Sequence, residues 1–370
     1  MSRRKVIQYT STSADVLDIP GGHGTHTSGT AVGHNSDIFS DSGQNSGVAP
    51  DAKIAFMDIA SGEGGMAVPS TNDLLFPGYN IGARVFSFSW GSRFASSDQY
   101  YIGHDIDEFL FNHQDAVIFF AAGNFGETAD PMTCSMEATG KNVVAVGASE
   151  SESPGDSTNK GNVAYFSSHG PTYDGRIKPD IVAPGLSTMS AAAGVDATAQ
   201  SCEVVSKQGT SMACPGAAGA ALLVQQYFRS QSFWATMCRT EYKDCHDAFS
   251  PSGVLIKAVM LHSGQAQSRY EDDSTLSKDL KSPPDSYQGY GRITLATVLP
   301  LPGVNTFDLF VADQVTISSS STMFVEIIVQ DSSTPFKVTL SWYDPPQMGR
   351  PARALLHNLD LIVEGPSGQR

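Results

Sequence analysis

Four short apolar runs, at 53–59, 84–90, 116–122 and 142–148, leave this chain few architectures. Each reads as a strand buried on both faces, and stretches of helical pattern lie between them. In 98–112, for example, Ile102, Ile106, Phe109 and Leu110 recur at helical spacing. Strands and helices in turn predict an α/β fold with a mostly parallel sheet.

Near residue 300 the texture changes. Pro300, Leu301 and Pro302 close the last helical region, and apolar runs at 307–312, 314–319, 323–330, 336–343 and 359–363 follow with turn residues between them and no helix-length pattern. The expectation is two units. Residues 1–298 form the α/β domain, and residues 304–370 form part of an antiparallel β-sandwich or jelly roll.

Composition excludes several classes of function. With 370 residues, 40% hydrophobic and 16% charged, against roughly 25% charged in an average soluble domain, this is a core-forming globular chain. Its formal charge of −15 argues against a phosphate-tracking nucleic-acid binder and against adhesion to anionic membranes. No stretch approaches the ~20 apolar residues that span a bilayer, and Met1 to Ile7 leads into polar residues instead of the apolar core of a secretory signal. Cys134, Cys202, Cys214, Cys238 and Cys245 fit no tetrahedral zinc pattern. Cys238 and Cys245 bracket a short polar loop, so a local disulfide is geometrically easy in an oxidising compartment; plain buried thiols are the other reading.

Three segments carry candidate chemistry. In Gly21-Gly22-His23-Gly24-Thr25-His26 a histidine stands among small residues that give access. A metal reading would use both histidines but lacks a third ligand, whereas a general base needs only one. The segment Gln208-Gly209-Thr210-Ser211-Met212-Ala213-Cys214-Pro215 runs from a glycine turn into an Ala/Leu-rich helix. Ser211 there is either a helix cap or a nucleophile served by the free N–H groups of the first turn. In Phe119-Phe120-Ala121-Ala122-Gly123-Asn124 an apolar strand ends in an asparagine whose amide can donate to an oxyanion; alone, Gly-Asn reads as a turn.

Taken together, in this order and at these wide spacings, the three segments resemble the subtilisin-like serine proteases. Further matches are Gly47-Val48-Ala49-Pro50, Ser89-Trp90-Gly91, the run 166–172 and the run 174–185. The likeness extends to about Ile293, and Leu340 to Asp344 with Asn358 to Leu361 resemble the C-terminal β-domain of the larger alkaline proteases. The resemblance implies a subtilisin-like three-layer fold and hydrolysis of peptide bonds through an acyl-enzyme. It implies His23 as the base, Ser211 as the nucleophile and Asn124 in the oxyanion hole, with His26 a structural neighbour. Ser89, Trp90 and Gly91 would pair with an extended peptide substrate, and with Ala121, Ala122 and Gly123 they would wall the primary specificity pocket; Trp90 is bulkier than the leucine common there. Cys214 is implied to be structural. No cofactor is implied for the chemistry and no metal ligand can be named, although structural calcium is common in the family. A secreted or lumenal location is the matching expectation.

One element departs from the pattern. The family's orienting aspartate lies on an early strand, thirty or more residues before the histidine, but here only Asp15 and Asp18 precede His23. The expectation is that the sequence enters the catalytic domain midway, through 4–9, with the aspartate strand, any propeptide and any signal upstream. The rival expectation is a peptide-binding pseudoprotease. Peptide-bond transfer or cyclisation on the same scaffold is a third.

Overall fold

A computed structural model describes residues 4–12, 18, 21–35, 45–61, 65–92, 99–127, 132–151, 161–194, 203–234, 247–270, 277–329, 335–348 and 352–368. The side chains of 99–102 are outside that description, as are Asp15, Cys202, Cys238 and Cys245, so the proposed disulfide falls outside it too.

The strands in chain order are β1 (Val6–Ser11), β2 (Ile54–Asp58), β3 (Ala60–Ser61), β4 (Gly65–Met66), β5 (Val85–Phe88), β6 (Val117–Ala121), β7 (Val144–Ser149), β8 (Asn162–Val163), β9 (Ile181–Pro184), β10 (Thr188–Ala191), β11 (Val204–Lys207), β12 (Arg269–Tyr270) and β13 (Lys278–Asp279). The longer helices are α1 (His23–Val32), α2 (Thr71–Asn80), α3 (Gln99–Asn112), α4 (Thr210–Arg229) and α5 (Gly253–His262). All four apolar runs are strands, and they join a mostly parallel α/β arrangement. β5, β6, β7 and β9 pair in parallel, while β8, β12 and β13 extend the sheet with some antiparallel pairs.

The strand period of two sorts β6 between two cores. Val117, Phe119 and Ala121 face Ala213, Ala217, Ala221, Val224 and Phe228 of α4 and Ile256 and Met260 of α5. Ile118 and Phe120 face Ile106, Phe109 and Leu110 of α3 and Leu74 and Leu75 of α2. Helices therefore cover both faces of the central strands. Phe119 and Phe120 are fully buried, and each such side chain stabilises the fold by about 1.5–3 kcal/mol.

Two expectations are corrected. β2 and β5 are not buried on both faces: β2 is mostly half-buried, and Ser87 of β5 is exposed. The reason is pairing, since among the described residues β2 has only β1 as a neighbour and β5 only β6, which leaves each with an open edge there. Second, among the described residues from 304 to 368 no strand ladder forms, so the described parts of the runs at 307–312, 314–319, 323–329, 336–343 and 359–363 do not pair as the expected strands; residue 330 of the third run lies outside the description. A strand needs a partner for its N–H and C=O groups and a cover for its apolar face. Phe324 (89% exposed) and Ile328 (67%) have no such cover.

Part of this tail is nonetheless bound tightly to the α/β body. Tyr343 is buried in the α2–α3 core, and its hydroxyl donates to the Ala116 carbonyl at 2.8 Å. Asp344, also buried, accepts from Lys141 Nζ at 2.7 Å.

Candidate active site

The glycines explain how three distant segments converge. Gly209 precedes α4 at φ 143°, a conformation closed to most side chains, and a Cβ there would lie 3.4 Å from Asn124 Nδ2. Gly123, at φ 114°, donates its N–H to Thr210 Oγ1 at 3.1 Å. Thr210 completes the join, because its N–H and its hydroxyl both donate to Asn124 Oδ1, at 2.8 and 3.0 Å. A backbone N–H can only donate, so these bonds fix the amide orientation and direct Nδ2 away from Thr210. Asn124 is exposed, and its Nδ2 has no acceptor among the described residues.

Ser211 is the second residue of α4, where the helix leaves N–H groups without intrahelical acceptors. Its own N–H has none among the described residues, whereas Met212 and Ala213 both return to the Gly209 carbonyl. Its hydroxyl donates to the Ser89 carbonyl at 3.1 Å, and Ser89 Oγ donates back to the Ser211 carbonyl at 2.8 Å. The expected substrate-pairing segment Ser89, Trp90 and Gly91 therefore lies directly on the serine. Its far side is anchored where the Ser92 N–H and hydroxyl both donate to the buried Glu137 carboxylate, at 2.8 and 2.7 Å. Trp90 packs edge-on against Phe120, with ring centres 5.6 Å apart. Ala121 and Ala122 are buried and Gly123 half-buried; both alanine carbonyls accept from Ser135.

His23 opens α1. Gly22 before it is left-handed (φ 52°), with Ala193 only 2.6 Å from where a Cβ would stand. Contacts between α1 and α4 ascend together: a Cβ on Gly216 would sit 4.0 Å from the Thr30 methyl, and one on Gly219 3.0 Å from the Ala31 carbonyl. The helices thus run parallel, and His23 and Ser211 stand at the same end. The His23 ring makes no hydrogen bond among the described residues, and the Ser211 hydroxyl is turned to Ser89. Such bonds are often long or unformed until substrate is bound. Asp18 is exposed, and its Oδ2 accepts the Thr25 N–H at 2.7 Å, an end-capping role for α1.

Although His23 is exposed, the surrounding protein removes enough water to push its pKa below the ordinary histidine value. The Lys207 cation adds to this, His26 adds slightly, and Asp18 opposes it. An imidazole kept neutral can accept a proton. His26 is fully buried, and its Nε2 lies 3.1 Å from two carbonyls, of Thr188 and Val205, so Nε2 carries the hydrogen and donates. That bond ties α1 to the β10–β11 hairpin. Cys214 is fully buried three residues after Ser211, and burial pushes its thiol up to about 12, which makes it packing rather than a nucleophile. Among the described residues no group of three or more His, Cys, Asp or Glu side chains could hold a metal.

Sequence reasoning missed Thr210, which holds Asn124, and Lys207, which bears on His23. The first was signalled by its place between Gly209 and Ser211; the second had no signal, because only folding brings it to the histidine.

A hydroxyl and an imidazole at the start of two parallel helices, with two N–H donors that have no acceptor among the described residues, are the kinds of group that serine hydrolases use, here on an α/β scaffold. Residues 4–291 match the Subtilase family (Peptidase S8), and the chain belongs to that family. It is 31% identical to "Serine protease/ABC transporter B family protein tagD" of Dictyostelium discoideum over 72% of this chain, and 26% identical to tagA of the same organism over 98%. These matches span only 19% and 25% of those relatives' own lengths. "Serine protease AprX" of Bacillus subtilis is 32% identical over 55% of this chain and 49% of its own. The solved self-cleaved protease domain of PatA shares the fold, with a TM-score of 0.51 at 20% identity over 78% of this chain and 86% of that one.

Proposed function

We propose that this chain carries the catalytic machinery of a serine endopeptidase acting on extended protein or peptide substrates. The observation that carries the reading is a pair of donors without an acceptor among the described residues, Asn124 Nδ2 and the Ser211 N–H, which both lie within 3.6 Å of where a Cβ on Gly209 would stand, at the start of the helix that carries the Ser211 hydroxyl. Ser211 Oγ passes its proton to His23 and attacks the peptide carbonyl. The negative oxygen of the tetrahedral intermediate receives both donors, which have little to reorganise. His23 then returns the proton to the leaving amine, and water releases the acyl group by the same steps in reverse order. Ser89, Trp90 and Gly91 offer the backbone edge for the substrate, and Ala121, Ala122 and Gly123 line the pocket beside it.

In the same proposal the orienting carboxylate comes from a strand lying between β2 and β5. Their open edges support this, as does α2, where a Cβ on Gly78 would sit 3.5 Å from Phe86 of β5 and 4.0 Å from Ala55 of β2. Phe56 of β2 also lies against Gly24, beside His23, so a strand in that slot would end near the imidazole. The same proposal divides the chain into 1–298, a catalytic unit, and 304–370, part of a separate C-terminal unit. The change of pattern near Pro300 supports that division.

The test is mass spectrometry of products after the full-length protein has acted on a peptide in isotope-labelled water. Shortened fragments with label in the new carboxyl terminus are expected. Ligated or cyclic products would mean transfer, and intact peptide bound without cleavage would mean a binding module.

The oxyanion donor makes a sharper prediction. Asn124→Ala removes one donor that acts mainly in the transition state, so kcat falls by about 10²–10³ while KM changes little. Steady-state kinetics on one peptide checks this. An equal fall in binding would place Asn124 in the substrate-binding surface instead.

A further inference from the structure

Beside the site lies a cavity of about 420 Å³ lined by Ser187, Ser206, Lys207 and Gln208. The β10–β11 hairpin forms its wall, with Thr188 opposite Lys207 in register. That hairpin is fixed to α1 through His26, and the Ser190 hydroxyl donates to the His26 carbonyl at 2.8 Å. Lys207 stands four residues before Ser211, and its Nζ donates to the Gly21 carbonyl, two residues before His23. The cavity is thus bordered by the chain that leads into the nucleophile and the chain that leads into the base.

Its lining is rich in donors: two hydroxyls, a carboxamide and an ammonium. Among the described residues no carboxylate lines it, and Lys207 has no carboxylate partner there. In a chain of formal charge −15 a cation left uncompensated at the mouth of the site is unusual. Only one of its three protons is committed, to Gly21. Ser187, at φ 55°, makes the turn into β10 that forms this wall.

We propose that this cavity is a substrate subsite for an acidic side chain, Asp or Glu, placed within two or three residues of the scissile bond. Because Lys207 stands four residues before Ser211 and bonds Gly21 two residues before His23, the cavity adjoins the cleaved bond, and at about 3.3–3.6 Å per residue of extended peptide the side chains near that bond are the candidates to reach it. The inference rests on the protease reading. A charge-assisted hydrogen bond from Lys207 to the carboxylate favours Glu over its neutral amide by about ten-fold, and a substrate lysine there is repelled.

The test uses the full-length protein and internally quenched peptides that differ only in carrying Glu, Gln or Lys at each of three positions on either side of the cleaved bond. At one position kcat/KM is expected to be about ten-fold higher for Glu than for Gln, with Lys lowest and the ratio shrinking as salt rises. Lys207→Glu is expected to invert the order and Lys207→Arg to keep it. Lys207→Gln also removes a cation that depresses the His23 pKa, leaving Asp18 and His26 as the charged or titratable neighbours. The acid limb of the pH–rate profile should then move to higher pH, a readout that a purely structural pin on Gly21 would not move. Cleavage of the Gln peptide with no advantage for Glu at any position would overturn this inference alone, whether or not Lys207→Glu folds. Failure to cleave any peptide would overturn the protease reading and this inference with it.

Discussion

Replacing Ser211 by alanine is expected to reduce peptide hydrolysis by about 10⁶-fold, close to 8 kcal/mol of transition-state stabilisation, a scale set by measurements on subtilisin itself. Of the nucleophilic groups at the α4 N-terminus, the Thr210 hydroxyl is fully buried and bound to Asn124 and Gly123, and the Cys214 thiol is buried and held protonated, which leaves the Ser211 hydroxyl to form the acyl bond. His23→Ala is expected to cost a similar factor, and the double variant no more than either single one, because base and nucleophile act as one unit. The residual rate then reports the Asn124 and Ser211 N–H donors alone. Steady-state rates of the three variants check this, with thermal melts confirming that each is folded. Losses that multiply would mean that His23 and Ser211 act independently, and the proposed proton transfer would fail.

The second large effect lies far from the site. Asp344→Ala is expected to destabilise the protein by about 3–5 kcal/mol, because it strands the Lys141 ammonium in the interior. The carboxylate accepts from Lys141 Nζ at 2.7 Å, from the Leu356 N–H at 2.7 Å and from the His357 N–H at 2.9 Å. The Asp344 N–H donates in turn to Asn142 Oδ1 at 2.9 Å, and Lys141 also donates to the carbonyls of Pro345 and Ala354. Both side chains of the pair are almost fully buried (3% and 2% exposed), so solvent screens the pair little. Against a typical total stability of 5–15 kcal/mol, the loss is large enough to move a urea midpoint plainly. Asp105→Ala, which removes a half-exposed carboxylate beside His104, serves as the control and should shift it by less than about 1 kcal/mol. Equal shifts for the two variants would show that the tail is not clasped to the α/β body.

This clasp and the active site differ in how legible they were in sequence. The strands could be read because apolar runs such as 116–122 have no other stable home than a covered sheet. The site segments could be read because close approach demands glycine at 22, 123 and 209, and those glycines stand beside His23, Asn124 and Ser211. Open edges could not be read, since the pattern of β2 or β5 does not say whether a neighbour strand is present. The same holds for 304–368, where the apolar alternation is real but pairing depends on partners that a local pattern does not contain. Lys141 and Asp344 are 203 positions apart, and Lys207 reaches a carbonyl 186 positions away, so neither contact leaves a local trace.

The central claim, that Ser211 is an activated nucleophile, is tested most directly by a fluorophosphonate probe and mapping of the adduct by mass spectrometry in the full-length protein. The account predicts a single adduct on Ser211 that disappears in Ser211→Ala and forms far more slowly in His23→Ala. An adduct on another residue, or none on a protein shown to be folded, would contradict it.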